Sequence, residues 1–175
     1  MELEEEIVKE PMIAWAKNIG HSIELDDWEN YKNYKLILST AYKENQYKMF
    51  YRWHLVLARL AEMYPNTKSE CWKCKRKDEM FFHMWWQCPK ARKCWAKVQR
   101  WLQEITEHQI EFKPKLFLLG IIKGKLSKQI QYIILHIITA ARVVFPQSWK
   151  LENIASEEML IQKILECAEM DKLTI

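Results

Sequence analysis

The sequence predicts an all-α fold, an irregular bundle of helices, and three observations lead to this prediction. Only 3 glycines and 5 prolines occur among 175 residues, which leaves little turn-forming material for an all-β protein. Leu, Met, Lys and Glu, which favour helices, are abundant. Apolar residues recur at spacings of three and four in several stretches, as on the buried face of a helix. A chain of this length can bury one good core, or two small ones that share a hinge.

The first predicted element is a helix over residues 2–19. Glutamates at its start and Gly20 after its end suit the two helix termini. Pro11 lies inside this stretch, so it must kink the helix or begin a second one as its first residue. Ile13 and Trp15 are expected to pack inward.

Three further helical stretches complete an N-terminal helical segment, residues 1–65. They are predicted after Ser22 through Tyr31, from Tyr34 to Tyr42, and from Glu44 to Tyr64. The last stretch is amphipathic, because its apolar residues recur near i, i+3, i+4 and i+7. Its basic residues, Arg52 among them, line much of the other face. These residues could form a solvated surface or contact a nucleic acid, and the sequence does not favour either role.

A second segment, residues 66–107, contains Cys71, Cys74, His83 and Cys88 in the spacing C-x2-C-x8-H-x4-C. This is the spacing of a closed zinc site, because a two-residue gap lets one turn aim both thiolates at one metal ion. Four ligands fill a tetrahedral shell, so we expect one structural zinc ion with no open position for catalysis. The alternative is a chance group of thiols in a reducing core. A C-x2-C pair followed by a histidine and a cysteine within 18 residues is much rarer by chance than a C-x2-C pair alone.

The geometry of the last two ligands requires a break in the chain between them. On an unbroken helix, residues five apart point about 140° away from each other. Pro89 supplies the break, because it disfavours helical dihedrals at Cys88 and is a good first residue of a new helix. Cys88 should therefore lie at a helix N-terminus, whose positive end favours a thiolate.

The helix predicted from Pro89 to about Glu107 lies in the most basic part of the chain. Residues 71–100 hold 9 basic and 2 acidic residues, whereas residues 1–30 hold 2 basic and 9 acidic ones. Cations beside aromatic rings suit a single-stranded nucleic acid, since phosphates meet cations and bases stack on rings. The candidate contacts are Lys73, Lys75, Arg76, Lys77, Lys90, Arg92, Lys93, Lys97 and Arg100, with Trp72 and Trp86 as stacking rings. A solvated helix face, with tryptophans that only bury the metal, remains the alternative.

The same helix has an apolar stripe of Cys94, Val98, Trp101, Leu102 and Ile105. Because Cys94 belongs to this stripe, it is expected to be a small core residue and not a fifth or substitute ligand.

The C-terminal helical segment, residues 108–175, begins with a polar connection. The apolar stretch over residues 116–122 that follows could be a strand by composition, but a short helix is expected there. Ser127 suits the N-cap of a long, nearly buried helix to Phe145, ended by Pro146. His136, within that helix, is expected to be a satisfied core histidine. A last helix starts near Ser156 and is expected to bury Leu160, Ile161, Ile164, Leu165 and Ala168.

Composition also excludes some classes of protein and site. The first ten residues hold 5 glutamates and no apolar region of a signal peptide, and the run Ile130–Phe145 is shorter than a membrane span. We therefore expect an intracellular protein with no membrane partner. No Gly-rich phosphate loop, Ser/His/Asp set or metal-binding carboxylate pair is found, so no catalytic residue and no enzymatic activity are expected.

Four stretches resemble one known family. They are Tyr42–His54 (YKENQYKMFYRWH), Cys71–Cys74 (CWKC), Phe82–Cys88 (FHMWWQC) and Phe117–Gly120 (FLLG). Together they resemble the C-terminal part of the reverse transcriptase polyproteins of non-LTR retrotransposons, of the long interspersed element type. His-x-Trp-Trp-x-Cys is the most specific piece. The likeness covers most of the chain, extends to Met170–Leu173, and is weakest before residue 40.

The resemblance implies a non-enzymatic region that follows the polymerase thumb, binds zinc and helps to hold RNA during target-primed reverse transcription. It also implies a location in cytoplasm and nucleus. The matching ligands are Cys71, Cys74, His83 and Cys88. The endonuclease and the polymerase palm are absent, and the helix around Val56 lacks a proline that many relatives have.

The sequence thus predicts a zinc module that binds RNA, or possibly single-stranded DNA, without catalysis. In a full-length parent its other partner would be the upstream polymerase domain. The alternative is a zinc-stapled helical module whose basic face binds an acidic protein.

Overall fold

A computed structural model describes residues 2–21, 23, 27, 40–53, 63–64, 70–77, 81–148 and 156–173. Within these residues the regular structure is helical and no strand occurs, which confirms the all-α prediction. The elements are α1 (Glu2–Ile19), α2 (Thr40–Phe50), α3 (Pro89–Thr106), α4 (Pro114–Leu119), α5 (Lys128–Val144) and α6 (Glu157–Leu173), with a π-helical turn (His83–Gln87) and a 3₁₀ turn (Phe145–Ser148).

Helix α1 is a single helix with Pro11 inside it, so the proline does not begin a second one. Trp15 is fully buried, as predicted, and its Nε1 donates to the backbone oxygen of Phe50 at 2.9 Å. The prediction for Ile13 was wrong, because 59% of this residue is exposed. Residues that are two positions apart on a helix point about 200° away from each other. Ile13 therefore cannot share the buried face of Trp15.

Helix α2 differs from the two helices predicted around it. It runs without a break through residues 42–44, where a boundary was expected, and it ends at Phe50, before the predicted end at Tyr64. Arg52 then adopts the left-handed conformation, with φ of 53°, and Trp53 N–H donates back to the oxygen of Lys48 at 2.9 Å. Parts of the three predicted helices lie outside the described residues. These parts are nearly all of the stretch after Ser22 through Tyr31, residues 34–39 of Tyr34–Tyr42, and residues 54–62 of Glu44–Tyr64.

The early end of α2 turns Arg52 into the protein instead of onto a solvated face. Its guanidinium carbon lies 4.5 Å from the ring centroid of Trp15. Nη2 donates to the oxygen of Ala14 at 3.0 Å and to Oδ1 of Asn18 at 2.6 Å. Burial lowers the pKa of Arg52 to about 10. The predicted surface role of this arginine was therefore wrong.

Helix α5 is the central element and packs against α2, α3, α4 and α6. Its N-cap is the predicted Ser127, whose Oγ accepts from the N–H of Ile130 at 3.3 Å. With the 3₁₀ turn it is long and apolar enough to cross a membrane, but 61% of its most apolar window is buried within the protein, as in a core helix. Pro146 lies within the 3₁₀ turn, so the helical course continues past it to Ser148.

A single hydrophobic core contains residues from all three predicted segments. Its largest fully buried side chains include Trp15, Phe50, Trp85, Trp95 and Phe145. Aromatic rings from α1, α2, the π turn, α3 and the end of α5 thus form a large part of this core.

Helices α4 and α6 begin close to where the sequence placed them. The short helix α4 ends at Gly120 with φ of 67°, and α6 follows Ser156. Leu160 is buried, but Ile161 and Leu165 are exposed, as is Ile105 at the end of α3, so these three were wrongly assigned to the core. The face of α6 that meets α5 is centred on Leu160, Cys167 and Asp171, and Ile161 and Leu165 lie about 100° or more from that centre.

Candidate metal centre and basic surface

The four predicted ligands meet at one place. The Sγ atoms of Cys71, Cys74 and Cys88 and a ring nitrogen of His83 all lie within 4.8 Å of one another. Sγ of Cys71 lies 3.9 Å from Sγ of Cys88, and Sγ of Cys74 lies 3.2 Å from Nε2 of His83. This cluster can bind a metal ion.

The first two ligands are held by a tight turn that the backbone closes on itself. Lys75 N–H donates to the oxygen of Cys71 at 2.7 Å, and Cys71 N–H donates to the oxygen of Arg76 at 2.8 Å. Lys75 adopts φ of 62°, which reverses the chain direction after the second ligand. The two thiols of the C-x2-C motif therefore point to one side of the turn.

The second pair of ligands is brought together by the π-helical turn His83–Gln87. Cys88 N–H donates to the oxygen of His83 at 2.8 Å, the five-residue hydrogen bond that defines this kind of turn. Cys88 itself has an extended ψ of 127°, and α3 begins at Pro89. The predicted break at Pro89 and the N-terminal position of Cys88 are confirmed, whereas the π turn was not foreseen.

Two of the distances between donor atoms are close to those expected for a tetrahedral metal site. Bond lengths of about 2.3 Å to sulfur and 2.0–2.1 Å to nitrogen imply about 3.8 Å between two sulfurs and 3.6 Å between sulfur and nitrogen. The observed separations of 3.9 and 3.2 Å lie within half an ångström of these values. Three thiols and one imidazole are also a donor set that structural zinc sites use.

The electrostatics of the cluster favour thiolate at Cys71. The hydrogen bond between Cys71 and Cys88 and the backbone N–H groups of Cys74 and Lys73 lower the pKa of Cys71 to about 4. The same hydrogen bond, together with burial, raises the pKa of Cys88, although the N–H groups of Ala91 and Lys90 at the start of α3 act in the opposite direction. The hydrogen bond between the two sulfurs thus shifts their pKa values in opposite directions.

Cys94 is not part of the cluster. It is buried in α3, and burial raises the pKa of its thiol to about 11. The prediction that Cys94 is a core residue agrees with its burial in the hydrophobic core.

Two predicted nucleic-acid contacts, Lys73 and Trp86, were wrong, because both side chains are buried. Lys73 is only 5% exposed, since its Nζ donates to the oxygen of Ser148 at 2.9 Å. Trp86 is 6% exposed, and its ring packs against Phe112 and Phe117 at centroid distances of 4.8 and 5.9 Å. Neither side chain can meet a nucleic acid. Trp72, beside Cys71, is half-buried and keeps part of its surface exposed.

The predicted basic residues of α3 divide into two groups. At about 100° per residue, Lys90, Lys93, Lys97 and Arg100 fall within an arc of about 80° on the face opposite the core. Arg92 lies outside this arc, and its guanidinium carbon lies 5.8 Å from the ring centroid of Trp86 and 5.6 Å from that of Phe112. Arg92 is exposed as well, so the five predicted contacts lie on two sides of α3.

We name as the basic surface the four residues of that arc together with Lys75, Arg76 and Lys77. These last three are exposed and directly follow the second ligand, Cys74. Arg100 Nε also lies 3.9 Å from Oε1 of Glu104, which offsets part of its charge. Both parts of the surface adjoin ligand positions, since Lys90 is two residues from Cys88.

No protein-family model matches the chain. The class of protein is therefore defined by fold and site alone: an all-α protein with a buried Cys₃His cluster that can bind one metal ion.

Proposed function

We propose that this chain is a structural zinc module that binds RNA and that corresponds to the C-terminal part of a retrotransposon reverse transcriptase polyprotein. The observation that carries the proposal is the convergence of Cys71, Cys74, His83 and Cys88 within 4.8 Å. The family origin is supported by the sequence motifs described above. In such a parent the module would adjoin the polymerase domain and act in the cytoplasm and nucleus.

Zinc would act here by joining three neighbouring elements of one short stretch of the chain, residues 71–88. Cys71 and Cys74 belong to the turn, His83 to the π turn and Cys88 to the start of α3, so one ion would join three elements. Four protein ligands fill the coordination shell, which leaves no position for a substrate or an activated water molecule. The proposal therefore assigns the module no catalytic activity.

The basic surface supports RNA as the ligand. It places cations on the turn and on α3. A bound zinc ion would fix the position of the turn relative to α3. Lysine and arginine contacts with phosphates give an affinity that falls with salt, and a partly exposed ring such as Trp72 can stack on a base.

The experiment compares single-stranded RNA binding by the parent chain and by a variant with Lys77→Gln, Lys93→Gln and Lys97→Gln. All three side chains are exposed. Each lost phosphate contact reduces the slope of log affinity against log salt by about 0.7 for a single strand, so the variant should lose about 2. Zinc content and helicity should not change, since none of the three is a ligand or a core residue.

A matched control removes the same charge elsewhere, with Lys17→Gln, Lys125→Gln and Lys128→Gln, which are also exposed. The control should keep the parent slope. Equal RNA affinities of the parent and the triple variant (Lys77→Gln, Lys93→Gln and Lys97→Gln) at low salt would contradict RNA binding by the basic surface. An acidic protein partner for that surface would then be the better explanation.

A further inference from the structure

Three aromatic residues lie close together in the sequence at the end of α2, outside the basic surface. Tyr47 is 57% exposed and Trp53 is 68% exposed, whereas Tyr51, between them in the sequence, is half-buried. The rings of Tyr47 and Tyr51 lie 4.6 Å apart between centroids, one helical turn from each other. We name these three residues the aromatic platform. Its two exposed rings leave apolar surface in water that a ligand would cover.

The platform is attached to a rigid part of the protein. The ring of Tyr51 packs edge-on against the core residue Phe50, with 5.1 Å between the centroids. Trp53 N–H donates to the oxygen of Lys48 at 2.9 Å, directly after Arg52, which is hydrogen-bonded to α1. The backbone that carries the rings is therefore fixed before a ligand binds, which lowers the cost of ordering them in a complex.

The end of α2 also packs towards the metal centre. The guanidinium carbon of Arg52 lies 5.4 Å from the ring centroid of Phe81, and Phe81 lies 6.0 Å from Trp85 between centroids. Trp85 belongs to the π turn that supplies the ligand His83. The platform therefore has a fixed position relative to the π turn, which leads into α3 and its part of the basic surface.

The surroundings of the platform favour nucleic-acid bases over a protein as its ligand. Lys43 and Tyr51 lie four residues to either side of Tyr47, so a cation and two rings form one row on the helix surface. Lys43 is exposed, and Glu44 beside it is already paired with Lys48 at 2.7 Å. A protein hot spot is typically enclosed by contacts that exclude water, whereas these neighbours are charged. Bases stack on exposed rings while adjacent phosphates meet cations.

We propose that the aromatic platform is a second nucleic-acid contact, on which the bases of single-stranded RNA stack. This inference rests on the proposed RNA-binding function, although it concerns residues outside the basic surface. The rings carry no charge, so their contribution to affinity does not fall with salt, whereas that of the basic surface does. The two surfaces therefore have separable signatures.

The first test measures the RNA affinity of the full chain with Tyr47→Leu and with Trp53→Leu. Leucine keeps apolar bulk but removes the ring, and both positions are exposed, so the fold should be unchanged. Each lost stack should weaken binding by roughly 5–150-fold, with an unchanged slope of log affinity against log salt. Trp53→Phe keeps a ring and should bind close to the parent. Ile13→Ala, at an exposed apolar residue of α1, is the control and should match the parent.

The second test separates stacking from indirect effects of the substitutions. Its ligand is an abasic oligonucleotide of the same length as the RNA, which keeps the phosphates and lacks the bases. The two leucine variants should bind this ligand like the parent, because no base remains to stack. A substitution that damaged the fold or the basic surface would instead weaken the binding of both ligands, so the comparison forms a double-mutant cycle between protein and ligand.

Each result has one meaning. Loss of affinity for RNA and not for the abasic oligonucleotide, at an unchanged salt slope, supports the inference. Parent-like RNA affinity of both leucine variants overturns it, leaves the basic surface as the RNA contact and makes a protein partner the better ligand for the rings. Equal losses on both ligands also overturn it. A parent chain that binds no RNA overturns the proposed function and this inference with it.

Discussion

Nε2 of His136 on α5 contacts Oδ2 of Asp171 on α6, and both side chains are buried. Nδ1 of the same imidazole faces the backbone oxygen of Tyr132 at 3.2 Å, and the Tyr132 hydroxyl donates to Asp171 at 2.8 Å. Asp171 therefore joins two side chains of α5 to α6. This group accounts for the predicted role of His136 as a satisfied core histidine.

Asp171→Ala should destabilise the protein by roughly 1–3 kcal/mol, because it leaves buried polar groups of α5 without the carboxylate. Glu169→Ala is the matched control, since Glu169 is an exposed acid on the same helix. Urea unfolding of the two variants measures the difference. Similar midpoints would show that the pair contributes nothing to the attachment of α6.

Arg52→Met should lower the free energy of unfolding by about 2 kcal/mol or more. The change removes a desolvated cation–π contact with Trp15 and two hydrogen bonds to α1, while it keeps most of the apolar stem. Lys43→Met, on the exposed side of α2, should be nearly neutral. If thermal unfolding does not separate these variants, Arg52 does not hold α1 to the end of α2.

Gly120→Ala should destabilise the fold more than Gly20→Ala does. Both glycines have positive φ, 67° and 80°, so an alanine at either position carries backbone strain. A Cβ at Gly120 would also lie 3.0 Å from Cδ2 of Leu135 and 3.2 Å from Nε2 of Gln46, whereas a Cβ at Gly20 meets nothing within 4 Å. Chemical denaturation of both variants gives the comparison, and equal losses would refute the close approach of α4 to α5.

Trp72→Ala and Trp86→Ala should have different effects. Loss of a stacked base costs roughly 1–3 kcal/mol of binding, so Trp72→Ala should weaken RNA binding with an unchanged salt slope and an intact fold. Trp86→Ala should instead destabilise the protein by roughly 3–5 kcal/mol, because the ring is part of the aromatic core. RNA titration and thermal unfolding of both variants test this division, which fails if Trp72→Ala binds like the parent.

The parts of the fold that could be predicted from sequence are those with local signals. Ser127 and Pro89 mark helix ends by their own chemistry, and the cysteine spacing marks the cluster. The end of α2 at Phe50 has no such signal, since the left-handed Arg52 is stabilised by α1, which lies far away in the sequence. Likewise, the burial of Lys73 and Trp86 depends on Ser148 and Phe112, and no periodicity in residues 71–100 encodes those partners.

The metal content and coordination of the purified full chain test the central claim most directly. We predict one zinc ion per chain, with X-ray absorption showing three sulfur ligands at about 2.3 Å and one nitrogen at about 2.0–2.1 Å. Cys88→Ser should lose the ion and Cys94→Ser should keep it, since only Cys88 belongs to the cluster. A chain purified without zinc that cannot be loaded, or equal zinc content in the two variants, would contradict the account.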